Sequence, residues 1–168
     1  GGVNYFNPEY EIYTRYSYSS NEKKGLSNPV VGRTIEDRDG NLWIGTEGGG
    51  LNYYNRRTRE FKWYRPQEGR NSISHNNVKA LYYDADKEII WIGTHLGGLN
   101  KLDIRSGHFT HYRMEEGNPN TLPSDIIRDI IPYKSLLIIA TQNGVCLFDP
   151  ANGQCQQLFK DSKEGKSI

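Results

Sequence analysis

Short apolar stretches of strand length recur along this chain, and turns rich in glycine separate them. In the central part of the sequence, four such stretches occupy residues 78–84, 89–94, 98–103 and 108–113. The first two are dense in Val, Ile, Leu, Trp and Tyr without clean alternation, which is typical of strands covered on both faces. The pattern therefore predicts units of four short β-strands, here called A to D, and almost no helix.

These four-strand units belong to a tandem repeat. The sequence WIGT at 43–46 returns at 91–94, an offset of 48 residues. The sequence GGLN at 49–52 returns at 97–100 with the same offset. Two identities in one register indicate duplicated structural units rather than chance similarity.

Two weaker copies extend the repeat in both directions. A degenerate third copy reads IIAT at 138–141 and lies 47 residues after the second. A partial copy opens the chain, because GGVNYF at 1–6 aligns with GGLNYY at 49–54. The repeat thus accounts for nearly the whole sequence.

Four-stranded repeats of this length with a Trp and Gly signature predict an all-β fold, a β-propeller in which each repeat forms roughly one antiparallel blade. About 3.5 blades are present, fewer than the roughly four to eight that close a ring. We therefore expect one segment of a larger propeller; two half-rings assembling from separate chains is the alternative. The expected organisation is a single segment 1–168, made of a partial blade at 1–27, blades at 28–73 and 74–122, and a blade with the linker to the next at 123–168.

The repeat also resembles a known family. The sequence DGNLWIGT at 39–46, followed by GGLN and by F-x-x-Y strands at 61–64 and 109–112, resembles the two-component regulator propeller repeat. The resemblance implies seven-bladed propellers in the periplasmic sensor regions of bacterial hybrid two-component histidine kinases, many of which sense oligosaccharides released from polysaccharides. It implies that this segment is a non-enzymatic part of a carbohydrate sensor. The sensor would belong to a homodimeric inner-membrane protein whose remaining blades and kinase lie outside this sequence.

Composition excludes several other partners. The 21 Lys and Arg residues against 20 Asp and Glu leave a net charge of +1, so no nucleic-acid partner is expected. The longest apolar run, 136–140, is far shorter than the roughly 20 residues that cross a bilayer. Contact with a membrane is therefore expected only through segments outside this chain.

No motif predicts a cofactor, a metal or a catalytic centre. The sequence EGGG at 47–50 lacks the Gly-Lys-Ser/Thr of a phosphate-binding loop, and the sequence DRDGN at 37–41 lacks the bidentate Glu of a calcium loop. His108 and His111 are three apart on a strand and point to opposite faces. The sequence does not exclude a catalytic site built from two carboxylates of different blades. A polysaccharide lyase or hydrolase is therefore the enzymatic alternative.

Candidate ligand contacts lie where the copies differ. Packing positions repeat because packing repeats, whereas loop positions that stay polar but vary are free to specialise. The B to C loops carry Glu47, His95 and Gln142 at equivalent positions. The remaining candidates are His75, Asn76 and Asp125 in the loops from D to A, and Trp63 on an outer strand. An exposed indole there would stack on a sugar or a partner protein, and ordinary half-buried packing is the main expectation for it. As a second alternative to ligand binding here, these blades are a purely structural scaffold for a ligand site in another part of the protein, or they bind a partner protein.

Aromatic and cysteine positions give two structural expectations. Trp43 and Trp91, at equivalent positions of B strands, are predicted to fill the wedge between neighbouring blades. In the third copy we expect Phe148 opposite Cys155, which places Cys146 and Cys155 on a diagonal. On that basis the cysteines are predicted to be free thiols, too far apart to bridge.

Overall fold

Fourteen β-strands make up nearly all the regular structure in the computed structural model of the chain, which describes residues 2–7 and 12–158. One 3₁₀ turn, Glu22–Lys24, is the helical element of this part of the chain. The strands are β1 (Val3–Asn7), β2 (Ile12–Tyr16), β3 (Val31–Glu36), β4 (Leu42–Thr46), β5 (Gly50–Asn55), β6 (Glu60–Tyr64), β7 (Val78–Asp84), β8 (Ile89–Thr94), β9 (Leu99–Asp103), β10 (Phe109–Tyr112), β11 (Ile127–Tyr133), β12 (Leu136–Thr141), β13 (Gly144–Phe148) and β14 (Cys155–Gln157).

Each full copy of the repeat forms its own antiparallel sheet. The strand orders are β3-β4-β5-β6, β7-β8-β9-β10 and β11-β12-β13-β14, and β1 pairs with β2 in a two-stranded sheet. Glycine turns join the strands; Gly40, for example, has φ of 78° in the turn between β3 and β4, a conformation that glycine adopts without strain. The predicted strands of the central copy are confirmed, with ends that differ by at most one residue.

The three four-stranded sheets are arranged around a common line. Their first strands are neighbours, because β7 lies against both β3 and β11. A cavity of about 450 Å³ is lined by residues of all three strands, among them Ile35, Leu81 and Ile130. The all-β propeller architecture predicted from the repeat is therefore confirmed, with the A strands innermost.

Large apolar side chains fill the spaces between successive sheets. Trp43 and Trp91 are each 1% exposed. Trp43 shares a core cluster with Val78 of the second sheet, and Trp91 shares one with Ile127 of the third. The predicted role of both indoles in the wedge between blades is confirmed.

The glycine of the repeated WIGT sequence allows the sheets to approach closely. A methyl group on Gly45 would lie 2.7 Å from Val78 Cγ1, and one on Gly93 would lie 2.4 Å from Ile127 Cγ2. Both distances are shorter than real carbon contacts, so the inner strand of each following sheet needs a glycine beside it. The repeated glycine is thus a packing position between blades.

The outer strand of each sheet is capped by the linker that precedes that blade's inner strand. The N–H of Trp63 in β6 donates to Glu22 Oε1 at 2.6 Å, and that of Phe109 in β10 donates to Asn71 Oδ1 at 2.7 Å. In the third sheet, the Cys155 N–H donates to the carbonyl of Asn120 at 2.8 Å. These contacts occupy hydrogen-bonding groups that an edge strand would otherwise offer to another chain.

Two of the sequence-based boundaries lie partly beyond the described residues. The partial blade at 1–27 includes residues 1 and 8–11, and the blade at 123–168 includes 159–168 with its linker. The division into blades at these two places stays a prediction.

Candidate functional site

The three variable B to C loop residues occupy the same place in their blades. The backbone N–H of Glu47 donates to the Val30 carbonyl at 3.0 Å, that of His95 to Asn77 at 2.9 Å, and that of Gln142 to Ile126 at 2.9 Å. Each acceptor precedes the inner strand of the same blade. We call this end of the molecule the rim; its residues are Glu47, His95, Gln142, 75–77 and 124–126.

Basic residues at strand irregularities reach two of the rim side chains. The pairing of β7 with β8 shifts register between Val78 and Ala80, and Lys79 at this bulge forms an ion pair with Glu47. The inner strand of the third sheet also shifts, beside Arg128, whose Nη2 lies 3.4 Å from Gln142 Oε1. Bulges redirect side chains in this way, and here they bring cations to the rim.

A pair of histidines lies in the middle of the rim. The rings of His75 and His95 are 6.4 Å apart, and His75 Nδ1 accepts the Asn77 N–H at 3.1 Å. That bond places the proton of a neutral His75 on Nε2. Burial lowers the pKa of His75, and the neighbouring His95 and Arg113 lower it further. His75 is therefore held in the uncharged form.

Two buried polar atoms on the rim have no hydrogen-bond partner within the described chain. They are Asn76 Oδ1 and His95 Nδ1. Buried polar atoms are satisfied in the great majority of cases, so unpaired ones mark places where a water or a ligand supplies the partner. The rim thus offers an acceptor and an imidazole nitrogen to an incoming polar molecule.

The carboxylate of Asp125 has a structural task on the rim. Its Oδ2 accepts from Arg113 Nη1 at 3.1 Å, and its Oδ1 accepts from the Met114 N–H at 2.8 Å. Arg113 also donates to the Leu96 carbonyl at 3.0 Å. Asp125 therefore ties the linker after β10 to the loop that carries His95.

Trp63 does not belong to the rim cluster, and its indole is only half-exposed. Its Nε1 donates to the Gly25 carbonyl at 2.9 Å, and the Arg65 guanidinium lies over the ring at 4.6 Å from its centroid. The indole therefore has the half-buried packing that was the main expectation for it, because the linker that precedes β3 covers this strand. The contacts of Trp63 are those of a residue that fastens a linker.

The expected cysteine register is confirmed, but the expected distance is wrong. Phe148 pairs with Cys155 and Cys146 pairs with Gln157, so the cysteines are diagonal neighbours and both are free thiols. Their Sγ atoms nevertheless lie 2.8 Å apart. Both side chains point into the same core from the same face of the sheet, and this brings the diagonal pair into contact.

Sequence reasoning missed the basic residues of the rim. Lys79 and Arg128 occupy bulges of β7 and β11, and Arg33 lies at the equivalent irregularity of β3. A basic residue near the start of every inner strand was the signal that could have found them. The alternation of apolar and polar residues in a strand does not reveal which residue will form a β-bulge.

Residues 2–7 and 12–158 contain neither a metal-binding cluster nor a membrane-spanning helix. No group of three or more His, Cys, Asp or Glu side chains there could hold a metal ion. No helix in this part of the chain has the length and apolar character of a membrane span.

Comparison with protein families shows what the repeat is. The model of the two-component regulator propeller matches residues 25–48 and 72–95. The two matches cover the starts of successive repeats, from the linker through strand B. These two segments are therefore similar to the two-component regulator propeller repeat. No curated protein sequence matches the chain.

Solved structures of similar fold include extracellular domains of putative two-component and one-component systems. The extracellular domain of the putative hybrid two-component system BT3049 from B. thetaiotaomicron is 25% identical over 94% of this chain, with a TM-score of 0.78. The extracellular domain of the putative one-component system BT4673 from the same organism is 24% identical over 98% of the chain, with a TM-score of 0.75. PorZ of Porphyromonas gingivalis, a surface component of the type-IX secretion system, shares the fold at 18% identity over 92% of the chain, with a TM-score of 0.67.

The chain spans only a small part of each of these proteins. It covers 22% of the BT3049 domain, 23% of the BT4673 domain and 24% of PorZ. The chain is thus similar in fold to about a quarter of each of these larger proteins.

Proposed function

We propose that this chain is a non-enzymatic, ligand-sensing segment of a propeller in the periplasmic sensor region of a hybrid two-component histidine kinase. The ligand is an oligosaccharide, and the signal regulates polysaccharide use. The remaining blades of the protein and a second copy of the sensor are the partners. The observation that carries the proposal is the rim, where one backbone hydrogen bond recurs in three blades while the side chain it holds changes from Glu47 to His95 to Gln142.

The chemistry of the rim suits an uncharged polyhydroxylated ligand. A sugar hydroxyl both donates and accepts, so it matches a surface that mixes donors with acceptors. Asn76 Oδ1 and His95 Nδ1 are buried and unpaired within the described chain, and His75 is held neutral. The basic side chains at the bulges are partly compensated, Lys79 by Glu47, so the rim has no strong field of one sign.

The rim carboxylates support a binding role over a catalytic one. Glu47 forms an ion pair with Lys79, and Asp125 is held by Arg113 and the Met114 N–H. A glycosidase needs one carboxyl group that keeps a proton and a second that remains ionised. Both rim carboxylates are instead engaged in ion pairs with cations of the chain itself.

Titration calorimetry of the intact sensor region with a panel of neutral oligosaccharides tests the proposal. The triple variant Glu47→Ala, His95→Ala and Gln142→Ala is expected to lose at least about tenfold in affinity, which corresponds to roughly 1.4 kcal/mol. The matched control is Asp86→Ala, an exposed residue in the turn between β7 and β8 at the opposite end.

Three results would contradict the proposal in different ways. Unchanged affinity in the triple variant would place the ligand site elsewhere and leave these blades as a scaffold. Equal loss in the control would indicate damage to the fold. Shortened saccharide products formed during the titration would indicate an enzyme.

A further inference from the structure

The third sheet replaces two residues that the first two sheets share. In β5 and β9, Asn52 and Asn100 pair with Ile44 and Ile92 of the neighbouring strand. The structurally equivalent residue of β13 is Cys146, which pairs with Ile139.

The second replacement lies on the outer strand. Phe61 and Phe109 pair with Tyr54 and Leu102 in the first two sheets, and both phenylalanines are buried. The equivalent residue in the third sheet is Cys155, which pairs with Phe148. Both cysteines of the chain therefore fall on neighbouring positions of a single blade.

The asparagines that Cys146 replaces fasten the preceding linker. Asn52 Oδ1 accepts the Ser27 N–H at 2.7 Å, and Asn52 Nδ2 donates to Ser27 Oγ at 2.7 Å. Asn100 makes the same two bonds to Ser74, both at 2.8 Å.

The third blade cannot make this clamp. In the repeat, the position of Ser27 and Ser74 is filled by Pro123. Proline has neither a backbone N–H nor a hydroxyl group, so both partners of the clamp are lost together. The third blade therefore lacks the hydrogen bonds between the linker and the third strand of the sheet. It has a pair of thiols instead, one of them at the position of the asparagine.

The two thiols are positioned for a covalent bond. Their Sγ atoms are 2.8 Å apart, so an approach of about 0.8 Å reaches the 2.05 Å of a disulfide. Cys146 is 0% exposed and Cys155 is 4% exposed, and both lie in the core cluster that contains Trp91.

We propose that Cys146 and Cys155 form a disulfide within the third blade, a covalent replacement for the asparagine clamp of the other two blades. The oxidant is a small or protein disulfide. One thiolate attacks it and releases one thiol, and the second thiolate displaces the other thiol from the mixed disulfide. The two cysteines lose two protons and two electrons, which reduce the oxidant to two thiols.

Burial determines when this bond forms. The Cys155 thiol and burial together raise the pKa of Cys146, which keeps the thiolate scarce in the folded blade. Strand β14 is only three residues long and lies at the edge of its sheet. Exchange therefore takes place during folding or when this short strand opens, and the finished bond is protected from reductants by the same burial.

Mass spectrometry of the full chain tests the proposal directly. The purified chain is unfolded and reduced, then refolded with either oxidised or reduced glutathione, and finally denatured in guanidinium chloride near neutral pH in the presence of excess N-ethylmaleimide. After refolding with oxidised glutathione, we expect a mass lower by two hydrogens and no alkylation. Trypsin releases both cysteines in one peptide, 135–160, so the cross-link is read within that peptide.

Thermal unfolding provides a second readout. Closing this short loop is expected to raise the melting temperature by roughly 5–10 °C over the reduced chain. In the Cys146→Ser/Cys155→Ser variant the melting temperature should be the same in both glutathione buffers. The single variant Cys155→Phe, which restores the residue of the other blades, should carry one thiol that is alkylated in either buffer.

Two outcomes would overturn the proposal. One is a chain refolded in oxidised glutathione that still takes up two N-ethylmaleimide groups. The other is glutathione attached separately to each cysteine, which would show that the two thiols react with the oxidant but not with each other.

Discussion

Equivalent residues of the repeat differ in their hydrogen bonding. Trp43 Nε1 donates to Asp37 Oδ2 at 3.0 Å, whereas Trp91 Nε1 is buried with no hydrogen-bond partner in the described part of the chain. Both rings have the same burial and occupy the same register position. The two sites therefore separate the packing of an indole from the contribution of its N–H.

Replacing each tryptophan by phenylalanine should reveal this difference. Both variants lose similar packing volume, but Trp43→Phe also removes a hydrogen bond to a carboxylate. We expect Trp43→Phe to lower the free energy of unfolding by about 1–2 kcal/mol more than Trp91→Phe does. Urea denaturation of the two variants checks this, and equal losses would show that the bond to Asp37 adds nothing.

The lowered pKa of His75 predicts a pH dependence of stability. The folded state disfavours the imidazolium, mainly through burial and then through His95 and Arg113, so the unfolded chain binds the proton more readily. The stabilisation is complete above the ordinary histidine pKa of about 6.5 and is lost as the pH falls through the lower folded value.

His75→Gln should flatten this dependence. We expect the urea midpoint of the natural sequence to fall more than that of the variant between about pH 7.5 and pH 5.5. A parallel fall in both proteins would assign the pH dependence to other groups.

At the scale of elements, the linkers act as covers for the outer strands. Asn71 binds both backbone groups of Phe109, with its Oδ1 2.7 Å from the N–H nitrogen and its Nδ2 2.8 Å from the carbonyl oxygen. His111 Nε2 lies 2.8 Å from the Ser72 carbonyl, two residues further along the same strand. The side-chain amide of Asn71 thus makes the two backbone hydrogen bonds that a neighbouring strand would otherwise make.

Asn71→Ala should loosen β10 selectively. We expect a loss of about 1 kcal/mol in the free energy of unfolding and roughly fivefold faster exchange of the Phe109 amide hydrogen. Hydrogen exchange followed by mass spectrometry measures both β10 and the inner strand β7. The exposed substitution Asn143→Ala is the control, and uniform acceleration in all strands would contradict a local capping role.

At the scale of the whole molecule, the residue next to the end of each B strand controls how closely blades stack. The third copy carries Ala140 where the first two carry Gly45 and Gly93. The third copy therefore accepts a methyl group at this position, whereas Ile127 excludes one at Gly93.

The pair Gly93→Ala and Ala140→Gly tests this difference. We expect Gly93→Ala to lower the free energy of unfolding by about 1–3 kcal/mol, because the third blade must move away from the second. Ala140→Gly should cost no more than about 1 kcal/mol, the backbone-entropy effect of glycine. Thermal denaturation measures both, and a neutral Gly93→Ala would mean that the blades can shift without cost.

The sequence alone determined the strands, the repeat and the packing positions. Trp43, Trp91 and the glycine turns were identifiable because strand periodicity and turn chemistry are local, and because a repeated local pattern must repeat its burial. The register of Cys146 against Gln157 followed from the length of one hairpin loop for the same reason.

Contacts between sheets were decided only by the tertiary structure. The 2.8 Å between the sulfurs, the cover over Trp63, the cations at the bulges and the unpaired atoms of Asn76 and His95 all depend on how the sheets twist and how near their neighbours lie. Such distances depend on residues that are far apart in the sequence. The pattern of apolar and polar residues along the chain does not determine them.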